Sequence, residues 1–249
     1  MELIVLGSGT GVPSLKRGAP GALLKIGDKN LLIDIGSGTL QKMLHFGVNY
    51  LNLDAIILTH LHPDHTSDLV PFFFACKYSL APRTKELYLI GGKGTREFYE
   101  KLKEVYGHWV KADSFRLHIQ EAPHGKRDLL GICFSTFPLQ HTRSSIGLRF
   151  EHGGKVLAYS GDTDYCPELI EMGKAADLLV LECSFPNERK IQGHLTPSLA
   201  GKVAKEAETK RLVLTHFYPP CDETDIISQC REEFSGELIL AEDMMVLSV

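Results

Sequence analysis

Apolar residues fall in short runs along this chain, each cut by Gly, Pro, Asp or Asn. That punctuation predicts many strands joined by tight turns. LIVLG (3–7), ALLKIG (22–27) and LLIDIG (31–36) are predicted as the first strands, with Asp28 and Lys29 in the turn between the last two. DAIILTH (54–60) is apolar without alternation, the pattern of a strand covered on both faces. Residues 64–79 predict a helix with a proline inside its first turns, and Asp64 and Asp68 near its start suit the helix dipole. YLIG (88–91) reads as a strand. Thr95 to Tyr106 has helical spacing, with Phe98, Leu102 and Val105 on one face.

The second half continues in the same way. FRLHI (115–119), GICFSTFPL (131–139), IGLRFE (146–151), KVLAYSG (155–161), ADLLVLE (176–182) and RLVLTH (211–216) are predicted strands, with His152, Gly153 and Gly154 joining the third to the fourth. Pro197 to Glu208 is a predicted helix, capped by Thr196 and opened by Pro197. Strands and helices intermix throughout, so the class is α/β, with a mixed sheet or two sheets and helices outside. No repeat, low-complexity stretch or linker interrupts the pattern, and residues 1–249 are expected to form one domain.

Composition changes this picture mainly by exclusion. Apolar residues at 43% and charged residues at 23% of 249 exclude disorder, collagen and coiled coil. A net charge of −4 excludes a globally basic nucleic-acid binder but leaves a local basic patch open. No apolar run approaches the roughly 18–20 residues of a membrane span. The N-terminus has no basic region ahead of its short apolar run, so a first strand is expected there rather than a signal peptide. The six cysteines include no C-x-x-C pair, which leads us to expect reduced thiols and a cytoplasmic location.

The chemistry is concentrated in the eleven histidines. Residues 59–65 read THLHPDH, directly after a strand. Side chains two apart in an extended segment share a face, so His60 and His62 can reach one point. Pro63 turns the chain, and Asp64 and His65 open the next helix within reach of a second point. A random chain of this composition contains H-x-H-x-D-H roughly 0.001 times. Imidazole and carboxylate together suit zinc, iron or manganese. Three more residues follow apolar strands: His141, Asp162 and His216. Strand ends on one sheet edge are where open α/β proteins hold ligands. Seven such residues are best explained by two divalent ions with Asp162 between them. A pair of ions about 3.5–4 Å apart can clamp the oxygens of a displacement reaction.

With these motifs in order, the chain resembles the metallo-β-lactamase superfamily, and within it the ribonuclease Z branch. The resemblance rests on LGSGTGVPS, LLIDIG, THLHPDH, HT (141–142), GDT (161–163), LECSF (181–185), GHLTP (193–197) and THFYP (215–219). It implies an αββα sandwich with two ions in the cleft between two mixed sheets. It implies that His60, His62 and His141 hold one ion, that Asp64, His65 and His216 hold the other, and that Asp162 bridges. It also implies a proton-handling role for His194, oriented by Glu182, and a role for Asp64 in orienting water. The usual His before that Glu is Leu181 here. A carboxylate fixes an imidazole's tautomer and raises its pKa, which suits a general acid.

Other residues receive weaker readings. Asp34 is a candidate hydrogen-bond partner for a ligand histidine. GSGTG (7–11) lacks G-x-G-x-x-G spacing and reads as a tight turn near the cleft, open to phosphate. Ser144 and Ser145 are further candidates for phosphate contact. His45, His108, His118, His124 and His152 lie outside every motif and default to solvated or structural roles, and HGKR (124–127) to a surface loop. Phe72, Phe73 and Phe74 form an apolar block that suits the core or, by resemblance, a homodimer face.

The superfamily hosts thioesterases, lactamases and oxygen-reducing enzymes as well as phosphodiesterases, and a fold alone does not choose. Asp64 in its motif and His194 favour phosphodiester hydrolysis. Ribonuclease Z enzymes carry a long insertion between the third ligand His and the bridging Asp, which grips transfer RNA. Here residues 142–161 leave room for one hairpin. The expected function is hydrolysis of a small or cyclic phosphodiester or a short oligonucleotide. Transfer-RNA 3′ processing is the alternative, and a sensor that keeps the fold without turnover is the non-enzymatic one.

Overall fold

The computed structural model describes residues 1–249. The first half runs β1 (Glu2–Gly7), β2 (Gly21–Ile26), β3 (Lys29–Ile33), α1 (Thr39–Leu44), β4 (Ala55–Leu58), α2 (Pro63–Thr66), α3 (Leu69–Tyr78), β5 (Leu87–Gly91), α4 (Thr95–Tyr106) and β6 (Leu117–Glu121). The second runs β7 (Gly125–Leu129), β8 (Ile132–Pro138), β9 (Ile146–His152), β10 (Lys155–Tyr159), α5 (Pro167–Gly173), β11 (Leu178–Glu182), α6 (Pro197–Glu206), β12 (Arg211–Thr215), α7 (Pro219–Asp222), α8 (Ile226–Arg231), β13 (Glu237–Leu240) and β14 (Val246–Ser248).

The strands form two seven-stranded sheets, ordered β14-β1-β2-β3-β4-β5-β6 and β13-β12-β11-β10-β9-β8-β7. Each sheet is mixed in the same way. β14, β1, β2 and β3 pair antiparallel and β3 to β6 parallel. β7 to β10 pair antiparallel and β10 to β13 parallel. Parallel strands need a crossover, and each crossover lays a helix on the outer face.

Three apolar layers follow. The inner one joins the sheets through residues such as Leu24, Ile33, Ile57, Phe134, Phe150 and Val180. One outer layer packs α1, α3 and α4 on the first sheet. The other packs α5, α6 and α8 on the second. This is the αββα sandwich expected from the sequence. Phe150 is fully buried in the inner layer, so Phe150→Ala there costs about 3–5 kcal/mol.

Several local expectations are corrected. The helix expected over 64–79 is two helices, α2 and α3, broken at Ser67 and Asp68. Pro71 has no N–H to continue the ladder, so it fits only the first turn of a new helix. Asp68 spends its own N–H on the Ile35 carbonyl and its carboxylate on the Leu40 N–H. On α4, Thr95 and Tyr99 are the buried residues and Val105 is 74% exposed, with nothing packed over it. The charged segment read as a loop at 124–127 belongs to β7, an edge strand whose Lys126, Arg127 and Asp128 guard an open sheet edge. The hairpin turn after β2 is Gly27 and Asp28, since Lys29 already pairs with Ile26. The α6 helix ends two residues early, with Glu208 left-handed at φ 52°. Phe72 and Phe73 are core, whereas Phe74 is 46% exposed.

Candidate metal centre

Every predicted site residue but His194 comes from a strand end or the turn or short helix that follows. His60 lies two residues past β4, and His62 is the extended residue that caps α2. Pro63 pre-sets the first helical turn, which carries Asp64 and His65. His141 lies in the loop after β8, Asp162 three residues past β10, and His216 directly after β12. Glu182 closes β11, and His194 precedes α6. Two backbones are bent to achieve this. Asp34 and His216 are left-handed, at φ 56° and 62°. Such residues cost about 1–3 kcal/mol each and persist where surrounding structure over-determines them. Gly161, at φ 62°, must lack a Cβ, which would lie 2.5 Å from the Thr59 Cβ.

Donor atoms converge in three groups, one of which, Asp162 with His194 and His216, overlaps the other two. His60, His62, His141 and Asp162 bring theirs within 4.8 Å of one another, and so do Asp64, His65 and His216. Asp162 joins the groups. Its Oδ2 lies 3.8 Å from Nε2 of both His60 and His141. Its Oδ1 lies 3.3 and 3.4 Å from Nε2 of His65 and His216. His62 turns Nδ1 inward, 3.2 Å from the His141 Nε2.

The outward nitrogen of each remaining imidazole is engaged, which fixes ring and tautomer. Asp34, fully buried, takes the His65 Nδ1 at 2.8 Å and both the N–H and the hydroxyl of Thr59. The Gly193 carbonyl takes the His141 Nδ1 at 2.8 Å, the Ser184 hydroxyl meets the His216 Nδ1 at 3.0 Å, and Thr59 Oγ1 meets the His60 Nδ1 at 3.2 Å. Gly11 N–H donates to Asp64 Oδ2 at 3.1 Å. The GSGTG turn therefore aims a carboxylate, and that amide is not free for phosphate.

Charge at the centre points the same way. Burial, then the neighbouring His65, pushes His60 down to about 2, and burial also lowers His141. Burial opposes protonation of His65 too, yet Asp162 and Asp34 raise it well above the ordinary histidine value. Burial raises Asp64, but the His216 hydrogen bond and His65 outweigh it and leave its pKa lowered. Imidazoles kept neutral by burial, as at His60 and His141, beside ionised carboxylates call for cations, and the proton that His65 holds on its inward nitrogen is one that an ion would displace. His60 Nε2 and Asp162 Oδ1 are buried and make no hydrogen bond, although both face the middle of the cluster. An orphaned donor or acceptor costs about 1–3 kcal/mol, and coordination to divalent ions removes that cost. The donor set fits a dinuclear site.

Beside it lies a second pair. His194 Nδ1 donates to Glu182 Oε1 at 2.8 Å. Glu182 is 1% exposed and also accepts from Thr163 N–H and from the Ser184 N–H and hydroxyl. Burial lowers the His194 pKa, but the Glu182 hydrogen bond and charge prevail and hold it raised. The ring stays half-buried at the edge of the ion cluster, with Nδ1 4.0 Å from Asp162 Oδ2. A cavity of about 620 Å³ opens over His62 and His141.

The structure thus brings together all nine predicted residues: His60, His62, Asp64, His65, His141, Asp162, Glu182, His194 and His216. It does not bring Ser144 or Ser145 to the cleft as free hydroxyls; both are buried and bonded to Thr142. His45, His108, His118, His124 and His152 stay outside. His118, for example, pairs with Glu86. Ser184 and Thr59 were missed. Ser184 lies two residues after Glu182, so an extended chain end carries both on one face, and that was the available signal.

An αββα sandwich with imidazoles and carboxylates gathered where its sheets meet defines a metal-dependent hydrolase. The chain belongs to the beta-lactamase superfamily, whose domain matches residues 29–217. It is 29% identical to a probable metallo-hydrolase of Bacillus subtilis, YhfI, over 99% of both chains. The YhfI crystal structure superposes with a TM-score of 0.86 over 99% of this chain and 98% of that one. Ribonuclease Z of Mycobacterium bovis is 29% identical over 98% of this chain and 96% of its own. The short form of human tRNase Z is 27% identical, covers 100% of this chain and 99% of its own, and has a TM-score of 0.75. No helix is long and apolar enough to cross a membrane.

Proposed function

We propose that this protein is a dinuclear phosphodiesterase acting on a small or cyclic phosphodiester or a short oligonucleotide. His60, His62 and His141 hold one ion, Asp64, His65 and His216 the other, and Asp162 bridges. The observation that carries the reading is the coupling of Asp162 to His194. Asp162 faces both donor groups, and the half-buried His194, held by the buried Glu182, brings its Nδ1 within 4.0 Å of the Asp162 Oδ2. When bound, two divalent ions, zinc or else manganese or iron, supply Lewis acidity and lower the pKa of a water toward ~7. Asp64 is positioned by the Gly11 amide to orient the attacking water. Glu182 holds the His194 ring and favours its charged form. His194 then gives a proton to the leaving oxygen, so that it departs as an alcohol rather than an alkoxide.

Transfer-RNA 3′ processing is the second reading, favoured by full-length similarity to ribonuclease Z of Mycobacterium bovis. Against it, the interval between His141 and Asp162 holds only the β9–β10 hairpin, closed by a two-residue turn. A net charge of −4 offers no general grip on a polyanion. Pairing of two copies through the exposed face of α3 belongs to the same proposal, supported by Phe74 and Tyr78 on that helix and by Trp109, which packs on both from the turn after α4; they are 46%, 45% and 47% exposed. The deciding experiment is metal analysis with parallel assays on precursor transfer RNA, cyclic nucleotides and a chromogenic phosphodiester. Turnover confined to the small substrates supports the first reading, and efficient precursor cleavage replaces it with the second.

A further inference from the structure

The cleft has a second compartment. A cavity of about 420 Å³ opens beside α4, lined by Leu61, Lys93, Glu97, Lys101, Glu121 and Arg143 among others. Arg143 also lines the larger cavity over His62 and His141, so the two share a wall. Leu61 and Arg143 each lie within two residues of a proposed ion ligand.

The charges here are unevenly matched. Lys101 is paired with Glu97 at 2.7 Å. Glu121 spends its carboxylate on the Gly94 and Arg96 N–H groups at the start of α4. Lys93 and Arg143 are exposed, and their side chains make no hydrogen bond or ion pair. A lone exposed cation is ordinarily just solvated surface. These two differ in lining one cavity from either side of a close backbone approach.

The seam that holds them lies next to both. A Cβ on Gly92 would sit 2.0 Å from the Ser144 carbonyl oxygen and 2.7 Å from its carbon. Both atoms are backbone and cannot yield, so glycine alone allows this approach. On one side Thr95 Oγ1 donates to the Gly92 carbonyl at 2.8 Å. On the other, Thr142 is bonded to the hydroxyls of Ser144 and Ser145 at 3.0 and 2.9 Å. A turn of the first sheet and a loop of the second therefore meet backbone to backbone, each braced on its own side, with Lys93 and Arg143 flanking the join. Two unpaired cations on one cavity wall attract an anion, and a guanidinium suits phosphate oxygens.

We infer that Lys93 and Arg143 form a subsite for a second phosphate of the substrate, beyond the ester that is hydrolysed. This rests on the phosphodiesterase reading and narrows it to substrates with more than one phosphate. That group is either the next phosphate of a short strand or a terminal phosphate on a small molecule.

The test compares three chromogenic esters with one leaving group: a nucleoside 5′-(p-nitrophenyl phosphate), the same compound with a 3′-phosphate, and a p-nitrophenyl-capped dinucleotide. The metal-loaded enzyme is expected to prefer one or both of the last two by roughly tenfold in kcat/KM, the scale of a charge-assisted contact. Preference for the dinucleotide identifies a strand as the source, and preference for the 3′-phosphate a terminal group. Lys93→Ala and Arg143→Ala should each reduce the preference ratio, the double variant should bring it near one, and Arg143→Lys should recover part of it. Equal use of all three esters by the wild type, or a ratio unmoved in the double variant, overturns the inference. Calorimetry with adenosine 3′,5′-bisphosphate against the 5′-monophosphate reads the subsite without turnover. Tighter bisphosphate binding that the double variant loses supports the subsite even if no ester is cleaved, an outcome that sinks only the phosphodiesterase reading. Equal affinities overturn the subsite.

Discussion

Asp34→Asn tests the architecture behind the ion site with almost no change of shape. The native carboxylate accepts three hydrogen bonds: Thr59 N–H at 2.7 Å on Oδ1, and Thr59 hydroxyl and His65 Nδ1, both at 2.8 Å, on Oδ2. An amide has one accepting oxygen, so it cannot serve both sides. With its oxygen toward Thr59 N–H, its NH2 faces the His65 Nδ1. That nitrogen must then accept, the ring proton moves to Nε2, and His65 loses its lone pair for an ion. Loss of such an orienting partner costs about 10–100-fold in metal affinity. With the amide flipped, the tautomer survives but two donors meet at a buried backbone N–H, costing about 1–3 kcal/mol. For a chain of this size that lowers Tm by roughly 2–12 °C. The variant therefore loses metal affinity or stability, whichever is cheaper. Competition with a chromogenic chelator and thermal melting of the metal-free protein read the two arms. A variant equal to wild type in both would refute the claim that Asp34 fixes the His65 tautomer.

Other expectations are simpler. His62→Ala and Asp64→Ala should lose bound metal by elemental analysis and abolish hydrolysis; wild-type turnover in either contradicts the site. His194→Ala should lower kcat by roughly 10²–10⁴ with metal content retained, and the dependence on leaving-group pKa should steepen in the variant; an unchanged slope removes His194 as the acid. Asp177 is held down to about 2 by the Lys210 hydrogen bond, opposed by burial and helped by Val156 N–H and Lys155. A lowered folded pKa contributes stability above the unfolded value near 3.8, and that contribution is lost as pH falls toward 2. Both lysines are exposed, so the screened contribution is about 1–2 kcal/mol. Asp177→Asn should be less stable to urea at pH 5 and approach wild type near pH 2; a constant difference across that range refutes the linkage.

The legibility of the site follows from where its residues lie. THLHPDH was readable because its ligands are local, and two extended residues plus a proline-started turn decide where they point. His141, Asp162 and His216 were readable only as polar residues at the ends of apolar runs, and resemblance supplied their grouping. Ser184 and Thr59 went unnoticed because serine and threonine are too common near strand ends to signal anything alone. Val105 misled because periodicity marks a helical face but not how far along it other residues cover it. β7 misled because an edge strand needs no apolar residues on its exposed side.

Alternation, turn residues and ligand types are properties of neighbours along the chain. They were enough to determine the α/β class, most of the strands and the metal-binding character of this protein. Which imidazole joins which donor group, which carboxylate is spent on the Gly11 amide, and which backbone turns meet at Gly92 and Ser144 were decided only by the tertiary structure. These depend on atoms distant in sequence approaching within about 3 Å, the hydrogen-bonding range. Short-range forces at that distance carry no imprint on local sequence until the two sheets have packed.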